Sequence, residues 1–155
     1  MSDGASRLDR TSMLERIEHN IQRSGYHLYV VSGDELPRYA YTIGLRESLG
    51  RELILGGAIY YMMEEVLRIV STIREQMRSG DSPGRILPVD ALGSFTLRET
   101  HASWVDRLML GAIDYYGTRD IDAFQIVPDE AHWTIDVPDM RTAPSAQAVP
   151  AWRCL

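Results

Sequence analysis

Four histidines and one cysteine are the first residues to test for chemistry: His19, His27, His101, His132 and Cys154. No two histidines have the four-residue helical spacing of a zinc motif, and a lone cysteine forms neither an internal disulfide nor a thiolate cluster. The expectation is no metal and no cofactor. His27 lies inside a strand-like run, where an imidazole with an ordinary pKa near ~6.5 could act as an acid, a base or a polar anchor. The plainer reading is a half-buried histidine hydrogen-bonded to a neighbour. His19, beside Glu18 and Asn20, reads as a surface residue, and His101 as a loop residue within reach of Glu99.

A second constellation is Tyr39-Ala40-Tyr41-Thr42-Ile43-Gly44-Leu45. Strand alternation sends Tyr39, Tyr41 and Ile43 to one face and Ala40, Thr42 and Gly44 to the other. The tyrosine hydroxyls could meet a small ligand, and the small residues admit a close backbone approach by a helix, a partner or a ligand. Core packing with the hydroxyls at the rim is the alternative. Gln125, polar between Phe124 and Ile126, faces either solvent or a polar pocket. The candidate ligand or interaction site is therefore His27, Tyr39, Tyr41, Thr42, Gly44 and Gln125. A candidate tail site is Trp152 with Cys154.

Positioning these residues requires strands. A first helix is expected from Ser12, whose hydroxyl would cap while Glu15 reaches back, to Ser24, with Gly25 in the left-handed position after it. Strands follow over 26–32 and 39–45, joined as a hairpin, and then over 52–55, apolar enough to lie centrally. Residues 59–77 read as the longest helix, with an apolar stripe through Ile59, Met62, Met63, Val66, Leu67, Val70, Ile73 and Met77. Residues 79–93 read as a long loop, 94–99 as a strand, and 104–116 as a second amphipathic helix capped by Ser103 and stopped by Gly117. A strand over 122–127 and an edge strand over 133–137 complete the set.

The expected fold is α+β: a mostly antiparallel sheet of five or six strands, one face covered by two main amphipathic helices, with the N-terminal helix at an edge. A single domain spans 11–140, between a flexible N-terminus over 1–10 and a flexible tail over 141–155, where apolar periodicity stops.

Composition narrows the function classes. All 16 basic residues are arginine, so no phosphate-loop or Schiff-base lysine is available. A net charge of −6 without a basic stripe argues against nucleic acid. No apolar run approaches the roughly 20 residues that span a bilayer, and the polar N-terminus has no signal-peptide core, so a cytoplasmic protein is expected. No Ser-His-Asp or Gly-x-Ser-x-Gly arrangement occurs.

Several segments together resemble a known family. Gly25-Tyr26-His27, the Pro37 to Leu45 stretch, Glu52-Leu53-Ile54-Leu55-Gly56, the aromatic helix over 104–117 and Phe124-Gln125-Ile126-Val127-Pro128-Asp129 are similar, in this order, to a bacterial family of small proteins catalogued as domain of unknown function 4262. Val127 departs from the tryptophan usual there, and Ala131-His132-Trp133 lacks the family's proline. A site lined by that closing segment would be altered here. The resemblance implies a fold and no activity.

Three functional expectations remain open. The leading one is a non-enzymatic protein-binding or accessory module, its partner another protein. The methionine-rich helix could leave an apolar strip for a homodimer, and core packing of Met62, Met63 and Met77 is the plainer use of those residues. The first alternative is a small enzyme or ligand-binding protein with a site at the Tyr39 to Leu45 hairpin, which a deep cleft would favour and a filled surface would not. The second is a tail presented as substrate to a modifying enzyme through Trp152 and Cys154.

Overall fold

The computed structural model describes residues 2–32, 36–57, 61–80, 85–129, 136–153 and 155. Its centre is a six-stranded sheet in the order β1-β2-β3-β6-β5-β4. The strands are β1 (His27–Val31), β2 (Tyr39–Ile43), β3 (Glu52–Leu55), β4 (Leu87–Val89), β5 (Gly93–Glu99) and β6 (Ala123–Pro128). Neighbours are antiparallel except β3 and β6, which run parallel, so the sheet is mixed. The β1–β2 hairpin pairs Tyr29 with Tyr41 and His27 with Ile43.

Helices cover both faces of this sheet, where a single covered face was expected. Helix α3 (Met63–Arg78) buries Val66, Ile69, Val70 and Ile73 against Ala40, Leu53, Leu55, Phe95, Leu97 and Ile126. The opposite face, carrying Tyr39, Tyr41, Ile43, Ile54 and Ala123, packs against Ile17 of α1 (Ser2–Ser24), Trp104 and Leu108 of α4 (Ala102–Leu108) and Ala112 of α5 (Leu110–Tyr116). β2, β3 and β6 are buried along their whole length, and strands apolar on both sides need cover on both sides.

Other expectations shift for local reasons. Helix α1 begins at Ser2, so Ser12 lies within it and does not cap it. The first ten residues contain no proline, several are good helix formers, and Arg10 pairs with Asp114 of α5. Gly25 ends α1 as expected, with φ 88° and its N–H donating to the Ile21 carbonyl at 2.7 Å. The sixth strand is β4, in a segment read as loop because Pro88 interrupts it. Within the stretch expected as an edge strand, 133–135 lie outside the described residues, and Asp136 and Val137 are not in a strand. The expected single helix over 104–116 breaks at Met109 (φ −95°, ψ 47°), and its cap is the His101 ring, accepting from the Ser103 N–H at 3.2 Å. Helix α3 starts at Met63, with Met62 as its cap residue; of the expected stripe, Ile59 lies outside the described residues, Met62, Met63 and Leu67 are exposed, and Ile69 is buried in their place.

The chain after Arg141 packs onto the sheet face opposite α3, where a flexible tail was expected. Two 3-10 turns, Pro144–Ala146 and Pro150–Trp152, carry Trp152 into full burial. Irregular segments like this are held by side-chain bonds to main chain, which no hydrophobic period reveals. The Gln147 side-chain amide supplies three of these bonds, accepting from the Asp139 N–H at 2.8 Å and donating to the Asp139 carbonyl at 2.6 Å and the Ala143 carbonyl at 3.4 Å, and it also meets the Thr142 hydroxyl at 2.9 Å.

A buried carboxylate joins four elements. Glu52, the first residue of β3, is fully buried. It accepts from the Thr42 hydroxyl of β2 at 2.7 Å, from the N–H groups of Gly44, Leu45 and Arg46 at 3.1, 3.2 and 3.1 Å, and from the Tyr116 hydroxyl of α5. The three N–H groups open the short helix α2 (Leu45–Leu49), whose N-terminal donors lack intrahelical partners. Removing Glu52 would take the acceptor from the buried Leu45 N–H, the Arg46 N–H and the Thr42 hydroxyl, while the Gly44 N–H keeps the Tyr116 hydroxyl at 2.7 Å. Glu52→Ala is expected to cost on the order of 4 kcal/mol and Tyr116→Phe about 2 kcal/mol, read from the midpoints of urea unfolding curves. Equal, small losses for both would show that the carboxylate does not hold this corner.

Candidate functional site

Alternation divides Tyr39 and Tyr41 from Thr42 and Gly44 on the second strand of the hairpin, and β2 has Tyr39 and Tyr41 on one face with Ala40 on the other. His27, Tyr39 and Tyr41 lie on the face opposite α3, Gln125 joins them through the parallel pairing of Ile54 with Gln125, and Thr42 points the other way. Gly44 has φ 111°, and a Cβ there would sit 2.7 Å from Ile21 Cγ1, so α1 of the same chain makes the close approach. The site residues are near one another and mostly engaged internally.

Tyr39 donates to the Leu108 carbonyl at 3.0 Å, and the Tyr41 hydroxyl accepts from the Gly111 N–H at 2.9 Å. These bonds serve the main chain on either side of the Met109 break, where helical partners are lost. Burial, with the Tyr29 ring adding to it, pushes the Tyr39 phenol up to about 12. Tyr41 is also raised by burial, against the lowering effect of its Gly111 bond. Thr42 serves Glu52, as described. His27 takes the plainer reading: its Nδ1 lies 2.9 Å from the Asn20 amide, and burial, then the Arg16 charge, holds its pKa below the ordinary value. His27 also borders a groove of about 280 Å³ along β1.

Aromatic rings continue across this face. Tyr29 stacks on Tyr41 at 5.3 Å between centroids and Tyr41 on Tyr39 at 6.2 Å. Trp152 meets Tyr39 edge-on at 6.3 Å and Trp104 at 5.5 Å. Trp152, expected on a tail, is thus the link between the tyrosines and α4. Cys154 and His132 lie outside the described residues.

Gln125 faces neither solvent nor an open pocket. Its side-chain amide donates to the Pro138 carbonyl at 2.7 Å and accepts from the Met140 N–H at 3.1 Å, reading one donor and one acceptor of a passing chain as a neighbouring strand would. The Met140 carbonyl in turn accepts from the His101 N–H at 2.7 Å, and the Trp104 indole donates to the Thr142 carbonyl at 2.6 Å. The arrangement binds main chain and seats an indole. Among the described residues no group of His, Cys, Asp or Glu could hold a metal, and no helix is long and apolar enough to cross a membrane.

Reading the residues alone missed Glu52, Trp104 and Gln147. Glu52 had a signal, an acidic residue heading an otherwise apolar strand. Gln147 had none, because its partners are main-chain atoms and one hydroxyl in a segment without periodicity.

Two outcomes follow from this geometry. Gln125→Leu leaves the Pro138 carbonyl and Met140 N–H without partners, and should cost about 1–3 kcal/mol with a red shift of tryptophan emission as Trp152 loosens; unchanged emission would place the hold elsewhere. Tyr39 and Tyr41 have folded pKa values above the unfolded value of 10.0. Above pH 10.0 the unfolded chain loses these protons first, so stability is intact below that pH and falls as pH rises towards about 12. Phenolate absorbance should then appear together with unfolding, and phenolates titrating freely in a folded chain would contradict the burial.

No curated protein and no solved structure matches the chain. Residues 20–133 match the family model described as Domain of unknown function (DUF4262), and the chain belongs to that family.

Proposed function

We propose that this protein is a non-enzymatic protein-binding module that takes a peptide segment on the sheet face covered here by its own residues 136–153. The observation that carries this reading is how that segment is held. Gln125, Trp104 and the His101 N–H address its main chain, and Trp152 sits between Tyr39 and Trp104. Main-chain bonds for affinity with one deep side-chain pocket for selectivity is a recurring mode of peptide recognition. The segment also lies beyond the residues matched by the family model, 20–133. It acts as a ligand in cis.

The filled hairpin counts against a ligand or enzyme site there. Tyr41 and Gln125 are fully buried, and their polar atoms meet protein partners. A tail presented as substrate through Trp152 and Cys154 would require Trp152 to leave its pocket. The single cysteine suits a reducing, cytoplasmic setting.

The test uses the full-length chain and a labelled synthetic peptide of residues 136–155. A cis segment competes at high effective concentration, so Trp152→Ala protein, shown folded by circular dichroism, should bind the peptide about tenfold more tightly than the unsubstituted protein. A peptide carrying Trp152→Ala should not bind. Equal binding by both proteins, or none by the folded variant, would make the segment a fixed part of the domain. A small molecule retained through native mass spectrometry would favour the ligand reading.

A further inference from the structure

The two edges of the sheet differ. β4, at one edge, has three residues, and its middle one, Pro88, has no N–H to offer. Short length and proline are the usual means by which an edge is kept from pairing. β1, at the other edge, has five residues, His-Leu-Tyr-Val-Val, with no proline, no acidic residue and no arginine. It is built from good strand formers and lacks those devices. Alternate residues of an antiparallel edge strand turn N–H and C=O away from the neighbouring strand, so β1 presents main-chain groups outward.

The groove of about 280 Å³ beside β1 lies between that strand and α1, which lines it with Met13, Arg16 and Ile17. His27 and Tyr29 come from one face of the strand and Leu28 and Val30 from the other, yet all four line it. A cavity bordered by both faces of a strand runs along its edge.

We infer that β1 is a dimerisation edge, pairing antiparallel with β1 of a second copy of this chain. The inference is independent of the peptide groove, which lies on the sheet face at Gln125 and Trp104. Pairing about Tyr29 sets Tyr29 opposite Tyr29 of the copy, Leu28 opposite Val30 and His27 opposite Val31. Each element of the pair is then complementary to itself, as a two-fold interface requires, and the assembly closes at two. The charges also fit a second copy. The chain carries a net charge of −6, and this strand lets two such molecules meet without acidic side chains facing each other. Met13, 46% exposed and 3.9 Å from the Tyr29 hydroxyl through its sulfur, adds an apolar flank close to the two-fold axis. A five-residue strand pair is a small interface, so the dimer should be weak and form in the micromolar range.

Sedimentation velocity and hydrogen exchange on the full chain, each at low and high micromolar concentration, test this. The expected result is a shift to twice the monomer mass at high concentration, with amide exchange over 27–31 slowed about tenfold or more and other strands unchanged. A Val30→Lys chain that keeps its circular dichroism should stay monomeric; if that variant does not fold, exchange in the unsubstituted chain still decides. A monomer at every concentration overturns the inference. So does a dimer whose β1 exchange is unaltered, including one that protects the exposed Met63 and Leu67 of α3 instead.

Discussion

The carboxylate of Glu52 stands where β2, α2, β3 and α5 meet, and it accepts from all of them except its own strand. A buried acceptor of this kind is stable only when donors surround it, and those donors are stable only because it is there. The turn through Gly44 follows from it, because three successive N–H groups aim at one side chain. Thr42 extends the same system by accepting from the Leu53 N–H at 2.9 Å, so hydroxyl, carboxylate and strand backbone form a continuous chain. Above the corner, the Arg46 guanidinium lies 5.2 Å from the Tyr116 ring centroid and brings a positive charge close to the buried negative one.

The tyrosines serve the main chain in a comparable way. Tyr39 and Tyr41 each place a hydroxyl at the break between α4 and α5, one donating and one accepting. Gly111 is small for a related reason: a Cβ there would lie 2.6 Å from the Tyr41 hydroxyl. What looked like a set of ligand-facing hydroxyls is a set of structural ones. At the centre of this sheet face the hydroxyls bond the main chain of α4 and α5, and beside them Gln125 and Trp104 bond the main chain at Pro138, Met140 and Thr142.

Much of this was legible in the residues. The alternation of Tyr39, Tyr41 and Ile43 located β2 and its two faces, Gly25 marked the end of α1, and the apolar run after Glu52 identified a strand buried on both sides. Periodicity reports which residues turn inward, however, and not which layer covers them, so the helices were assigned to one face. β4 was hidden by Pro88, since a strand with a proline is recognisable only once β5 lies beside it. α2 and Glu52 were hidden because a five-residue helix has little intrinsic signal and forms here around an acceptor supplied by β3. Trp152 and Gln147 act through tertiary contacts without any repeat, so their segment read as a tail.

The order of the strands has a kinetic meaning. β1, β2 and β3 form one meander from a continuous stretch of chain, and β4, β5 and β6 form another, each closing loops that are short except for the α4–α5 insertion. Within the sheet the two are joined along the parallel seam of Glu52 to Ile54 with Ala123 to Gln125. Short-range pairings pay little loop-closure entropy, whereas a seam between distant segments must wait for both partners. The pairing between the halves therefore carries the larger loop-closure cost, and it is this pairing that brings Tyr116 of the second half to Glu52 of the first.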